Sequence, residues 1–483
     1  CVVVRFPNPV RLVILGVGLL LSRAGLVDRQ HVRSTTDLSW PRIVTGLARM
    51  SKNAADVAMV GVVLGEAAIG GVGLASPFWG LAFSIGGGMA AGTIALVSQG
   101  HGAEDYDQFG QAIRSSVLVV LALTLPLAAV LFFFPTDLLG LLSGDQTTVT
   151  YGADYLRILA FGVPFAGLNL VGSRIYIGAD DAYTPMIVRG GGAVSNIALN
   201  ALFIFGLGMG VTGAALGTVL ANVLGTTAFA VGLARGRLPF CNPLPAAVSL
   251  RDRYFDRETI TDIVRIGTPV VGRNGVWTVA RIPMLAIVAS FGTTVLAAYT
   301  VARRIYALMN TPGWGFGLAS SSLVGQNLGR GDEAGAEAVA KDVVLFSIGT
   351  YLVASAIVAA FAHPIAVLFV SPDAAPGVIP TTTAFVYVCC IAVLAQAVKG
   401  AAAGPLDAAG DTRVPFYSQL VGMFGFALPL AALGAYTDLG LVGLYLSLVA
   451  ETFVPAAINY WWFSTGIWKE RSREFRPGTP ADD

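Results

Sequence analysis

Leu96-Val-Ser-Gln-Gly-His-Gly102 recurs as Leu323-Val-Gly-Gln-Asn-Leu-Gly329. Ala179-Asp-Asp-Ala-Tyr-Thr-Pro185 recurs as Ala409-Gly-Asp-Thr-Arg-Val-Pro415, and Gly210-Val-Thr-Gly213 as Gly440-Leu-Val-Gly443. The copies lie about 230 residues apart, so the chain reads as a duplication. Within each copy, apolar runs bounded by Gly, Pro or charge approach the roughly 20 residues that cross a bilayer as a helix. They predict spans at Ile43–Leu64, Gly73–Val97, Ile113–Phe134, Tyr155–Ile177, Met186–Phe205 and Met209–Leu233. After a polar linker come Ile263–Ala289, Thr294–Leu323, Val343–Phe361, Thr381–Ala403, Val414–Leu433 and Leu439–Phe463. A period of six helices is even, so both halves share one orientation about an axis along the membrane normal. The expected fold is an all-α membrane protein, twelve transmembrane helices in two pseudo-symmetric six-helix bundles. Residues 1–39 are expected as a cytosolic or interfacial lead-in with an amphipathic surface helix. The bundles are placed at 40–234 and 263–466, the linker at 235–262 and a cytosolic tail at 467–483.

Composition agrees. Of 483 residues, 55% are hydrophobic and only 12% charged, where a soluble protein carries about 25%. The mean hydropathy is +0.71. A net charge of +1 suggests no nucleic-acid partner. The 58 glycines suit helices that pack closely in a membrane. Arg greatly outnumbers Lys, the bias of a GC-rich genome such as a halophile's. Basic residues should concentrate in cytoplasmic loops. With Arg42 inside, the outer loops contain no Lys or Arg. The inner segments hold Arg23, Arg235, Arg251, Arg330, Arg413 and Lys469 among others, which places both termini in the cytoplasm. No cleaved signal peptide is recognised, because the run Leu12–Leu21 lacks a small-residue cleavage site. The start at Cys1 instead of Met leads one to expect a missing or misassigned N-terminus. Cys1, Cys241, Cys389 and Cys390 form no disulfide or metal pattern. His31, His101 and His363 are far apart, so no zinc, haem or other cofactor is expected.

Asn53-Ala-Ala-Asp56 lies in the middle of the first span. A carboxylate at that depth is costly to ionise and usually faces a cavity or a partner. Glu451 is the only other acid so deep. A membrane acid that loses and regains a proton, or holds a small cation, couples transport to an ion gradient, and Asp56 is the candidate. Asn53 and Asp56 share one helical face, as do Asn196 and Asn200 on the fifth span. Amide and carboxylate oxygens are hard ligands for Na+ or for a hydrogen-bonded acid. Interhelical glue is the bland alternative for the asparagines. Lys52, one turn before Asp56, either pairs with it or snorkels toward the cytoplasm. A permanent pair would make Asp56 structural. Asn53, Asn169, Tyr176 and Lys399 are candidates for a substrate cavity. Arg273, Arg281, Arg303, Arg304 and Lys399 lie in C-terminal spans, and an interhelical charge network with Glu451 is preferred over a basic gate. Gly86-Gly-Gly88 and Gly190-Gly-Gly192 follow no strand and read as packing sites. No phosphate-binding Gly-x-x-x-x-Gly-Lys-Ser/Thr sequence occurs, so the chain's own ATP hydrolysis is not expected.

Several segments together resemble the MATE family (multidrug and toxic-compound extrusion) from Trp40 to Trp462. They are Trp40-Pro41, the Asn-x-x-Asp of the first span and Leu-Val-x-Gln after the second and eighth. Gly-Ala-Asp-Asp-Ala-Tyr-Thr-Pro185, Asn196-Ile-Ala-Leu-Asn200 and Gly213-Ala-Ala-Leu-Gly-Thr218 complete the set. The seventh span has no acid near Trp277, which is similar to the DinF-like branch; an archaeal member is expected. The resemblance implies Asp56 as the coupling carboxylate, with Asn196, Asn200, Ala214 and Thr218 lining the same pocket. It implies Pro41 as the point where the first helix bends. The position of Asn200 is usually aspartate in that branch, so Na+ would be held less strongly here, by Asp56, Asn196 and Asn200. The implied activity is antiport at the plasma membrane, exporting amphipathic organic cations or drugs in exchange for H+ or Na+, by a monomer. The main alternative is a lipid-linked saccharide flippase of the wider superfamily, which needs a strongly basic cavity. An embedded enzyme would need clustered catalytic groups, and none is present.

Overall fold

The computed structural model describes residues 8–64, 66–239, 241–249, 251–369 and 377–475. Cys1 and the extreme ends of the expected lead-in and tail lie outside them. The regular elements among the described residues are all helices. The first half holds α1 (Pro9–Arg23), α2 (Arg29–Leu64), α3 (Glu66–Gly102), α4 (Tyr106–Phe133), α5 (Pro135–Gly140), α6 (Gln146–Ala160), α7 (Val163–Gly178), α8 (Tyr183–Ala201) and α9 (Gly210–Arg235). The second holds α10 (Arg257–Ala289), α11 (Thr293–Met309), α12 (Thr311–Gly329), α13 (Glu333–Ala360), α14 (Ala362–Phe369), α15 (Val378–Ala408), α16 (Arg413–Leu420), α17 (Leu428–Tyr436), α18 (Gly440–Thr465) and α19 (Ile467–Arg473). Short π-helical turns, Leu202–Gly206 and Val421–Ala427, follow α8 and α16.

Each of the twelve expected spans falls on helix. The fourth is broken: α6 and α7 meet at 53°. The eighth is divided into α11 and α12 at Asn310. By length and composition, 8 described helices could cross a membrane, or 9 with the bent pair. The shortfall falls partly on α2 and α10, whose interiors carry Arg42, Arg49, Lys52 and Asp56, and Arg265, Arg273 and Arg281.

The duplication is visible in the backbone. Glu104 and Gly331 take matching left-handed turns (φ 58° and 79°), as do Asp180 and Gly410 (65° and 79°). Asp105 then caps α4 by accepting from the Gln108 amide at 3.0 Å, and Asp332 caps α13 by accepting from Gly335 at 2.8 Å. Such caps satisfy amides that the first helical turn leaves open.

The chain forms two compact units. One is Val44–Val271; the other is the described parts of Phe6–Ile43 and Gly272–Asp483. In the first, α3 packs on α4, α6 and α7, and α8 on α9. In the second, α15 packs on α11, α12, α13 and α18. There α12 and α15 touch through glycines: a Cβ on Gly317 would lie 3.0 Å from the Gly400 carbonyl, and one on Gly400 2.9 Å from that of Gly313. Small residues four apart on facing helices permit this approach. The N-terminal α1 packs on α13, with Ile14 buried in a core that includes Phe316, Phe346 and Trp468.

Candidate functional site

Asp56 is held from two directions inside the first unit. Its Oδ2 accepts from Lys52 Nζ at 2.7 Å, one turn earlier on α2. Its Oδ1 accepts from Asn200 Nδ2 on α8 at 2.8 Å. With the Asn196 amide turned so that both its atoms find partners, Asn196 Nδ2 donates to the same Oδ1 at 2.9 Å, and its oxygen lies 3.0 Å from Thr218 Oγ1. Thr218 Oγ1 also lies 3.0 Å from the Ala214 carbonyl on α9, to which it donates. The structure thus brings together Asp56, Asn196, Asn200, Ala214 and Thr218. Asn196 and Asn200 are fully buried, and the Asp56 side chain is 14% exposed.

The close approach of α8 to α9 depends on a glycine. A Cβ on Gly217 would meet Asn200 Oδ1 at 2.0 Å. That oxygen is buried and has no hydrogen-bond partner among the described residues. It is a free acceptor beside the carboxylate, which suits a small cation or the proton of a neutralised acid. Tyr155 at the middle of α6, whose hydroxyl neighbours Thr218 and the Asp56 carboxylate, was not anticipated. A phenol at the start of a span reads as an interfacial aromatic, so its sequence position gave no sign.

The other candidates lie elsewhere. Asn53 is exposed and makes no hydrogen bond among the described residues. Asn169 Nδ2 donates to the Phe165 carbonyl at 3.0 Å and the Asn222 carbonyl at 2.9 Å, joining α7 to α9. Tyr176 is fully buried, against Phe229. Pro41 is buried inside a continuous α2, two residues before the division between the units.

In the second unit, Arg303 Nη1 donates to both Glu451 oxygens, at 3.0 and 3.1 Å. Its guanidinium lies over the Trp277 and Tyr306 rings, 5.4 and 5.2 Å from their centroids. Arg273 pairs with Asp407 at 3.0 Å. Lys399 Nζ sits 5.2 Å from the Trp277 ring centroid. Arg281 and Arg304 are exposed. Three of the five deep basic residues thus form a network of carboxylate and aromatic contacts.

The MatE family model matches residues 41–202 and 269–433. The chain is 28% identical to "Probable multidrug resistance protein NorM" of Bradyrhizobium diazoefficiens, over 88% of this chain and 91% of that one. It is 27% identical to "Multidrug resistance protein PmpM" of Pseudomonas aeruginosa, over 87% of each. A crystal structure of MATE in the straight conformation superposes with a TM-score of 0.82 at 22% identity, covering 95% of this chain and 98% of that one. The match on both halves of a duplicated helical fold is decisive: the chain belongs to the MatE family.

Proposed function

We propose that this chain is a secondary active exporter in the plasma membrane, exchanging amphipathic organic cations for H+ or Na+ at Asp56. It works as a monomer with both termini in the cytoplasm. The names of the Bradyrhizobium and Pseudomonas relatives support multidrug substrates. The observation that carries the coupling reading is the double hold on Asp56, with α8 amides on one oxygen and an ammonium of its own helix on the other. Oδ2 takes one cation at a time. A proton, a Na+ or a substrate nitrogen therefore replaces Lys52 Nζ, which needs only a new Lys52 rotamer. Unit charges 4 Å apart attract by about 4 kcal/mol at an effective dielectric of 20. Moving one charge through 100 mV is worth about 2.3 kcal/mol. The two are comparable, so a gradient can drive the exchange in either direction. The exchange alters the charge on α2, which bends at Pro41, where the ring removes a backbone donor. A lipid-linked saccharide flippase would need an open basic wall, but Arg273 and Arg303 already face carboxylates.

The test is uptake of a cationic dye by proteoliposomes under a pH gradient and, separately, a sodium gradient. One of the two should drive uptake, and Asp56→Asn should lower the driven rate at least about tenfold, which corresponds to about 1.4 kcal/mol. A D56N protein that moves dye uphill at the parent rate would overturn the proposal.

A further inference from the structure

Arg49 on α2, Arg174 on α7 and Arg189 on α8 belong to one unit and approach the same end of their three spans. The guanidinium of Arg189 lies within the field of both others. Nη1 of Arg174 and Nη1 of Arg189 are sealed from solvent and have no hydrogen-bond partner among the described residues. Neither side chain forms an ion pair among the described residues. Asp56 does not serve, since its oxygens are taken by Lys52, Asn200 and Asn196. Arg49 precedes Asp56 by seven residues, about 10 Å along the helix.

Removing a guanidinium from water is costly, and like charges held together add to that cost. The two unpartnered guanidinium nitrogens of Arg174 and Arg189 fit a fold that receives an anion there. Guanidinium forks match the oxygens of a phosphate and donate along two parallel bonds. Arg174 and Arg189, on the consecutive helices α7 and α8, each offer such a fork. Lysine, a compact point charge, would not impose that geometry.

We propose that Arg49, Arg174 and Arg189 form a binding site for a phosphate group, separate from the Asp56 cluster. The ligand is the headgroup of an anionic phospholipid or a free phosphate; the chemistry of recognition is shared. The site is independent of drug transport, because binding is measured without it.

Two probes distinguish the sources. Inorganic phosphate is titrated calorimetrically into the delipidated full-length chain. In parallel, the unfolding midpoint is compared in nanodiscs of phosphatidylcholine alone and with phosphatidic acid. A free-phosphate site responds to the first probe, and a lipid site only to the second. In either case Arg174→Gln and Arg189→Gln should each weaken the response at least about tenfold, as expected for a charged hydrogen bond. No response of the parent to either probe, or an equal response in the R174Q/R189Q double variant, would overturn the proposal. A second measurement guards against misfolding. Without anion, R189Q should unfold no earlier than the parent, since it removes an uncompensated buried charge. If R189Q unfolds earlier and phosphate makes no difference, the arginines are structural and the site is refuted.

Discussion

Lys52 and Asn53 stand on opposite flanks of Asp56 along α2. On a helix of 3.6 residues per turn, the residue four back lies about 40° away and the one three back about 60° away on the other side. Lys52 therefore reaches the carboxylate at 2.7 Å while Asn53 remains exposed. Spacing alone made both plausible, and the structure gives the carboxylate to Lys52. The pair also defines what Lys52 does. If its ammonium competes with the coupling ion, Lys52→Met should raise the apparent affinity for that ion about tenfold, one pKa-unit equivalent of binding energy. The measurement is the ion concentration giving half-maximal transport. An unchanged value with a lowered unfolding midpoint would assign Lys52 to structure. Gly217 gives a second test. A methyl there would overlap Asn200 Oδ1, and overpacking of this kind costs about 1–3 kcal/mol. Gly217→Ala should lower the unfolding midpoint and disconnect Asn200 from Asp56, so ion-driven transport should fall with it. Asp56, Asn196 and Asn200 were legible because an acid and amides at helical spacing are rare in apolar runs. Ala214 and Thr218 were indicated only by the family resemblance.

Among the elements, apolar runs found the helices but not their interruptions. In the turns Leu202–Gly206 and Val421–Ala427 each hydrogen bond spans one residue more than in an α-helix, and no residue type marks such a change. The break at Phe161 and Gly162 left no stronger sign, because Pro164 sits one position inside the new helix, where proline is tolerated. Pro41 differs: it lies inside α2, where its ring forgoes the bond that a backbone N–H would make to the turn before it. Pro41→Ala should restore that bond, raise the unfolding midpoint and slow turnover if bending limits the cycle; faster turnover would contradict the hinge. The tail helix α19 is joined to α13 by Lys469 and Glu337, which Lys341 also contacts at 2.6 Å. These two lysines hold the Glu337 carboxyl below the ordinary 4.5. A lowered pKa means the ionised form is favoured in the fold. The stabilisation is complete above 4.5 and is lost as pH falls through the lowered value. The protection factor of the α19 amides, the intrinsic exchange rate divided by the observed rate at each pH, should therefore be flat from neutrality down to that range and fall below it.

At the scale of the whole molecule, the fold is repeated but the chemistry is not. The residues about 230 positions after Asn196, Asn200 and Thr218 are Phe426, Leu430 and Leu448. The copies share turns and caps because backbone geometry sets those. Side chains facing a site are free to diverge, so the duplication was legible throughout while the site appeared in one half only. The second unit carries instead the Arg303–Glu451 pair, with Glu451 only 2% exposed, and Arg273–Asp407. Asp407 lay beyond the predicted span and was missed as a partner; α15 runs five residues farther than the apolar run and brings it to Arg273. If this network is structural, its energetics follow those of buried ion pairs. Removing one partner strands the other charge, at about 3–5 kcal/mol, whereas replacing both with apolar groups is nearly neutral. Glu451→Gln should therefore lower the unfolding midpoint sharply, and the Arg303→Met/Glu451→Leu double variant should recover most of the loss while still transporting. Recovery of stability without transport would place Glu451 and Arg303 in the transport cycle beside Asp56, and the division of labour between the halves would then be wrong.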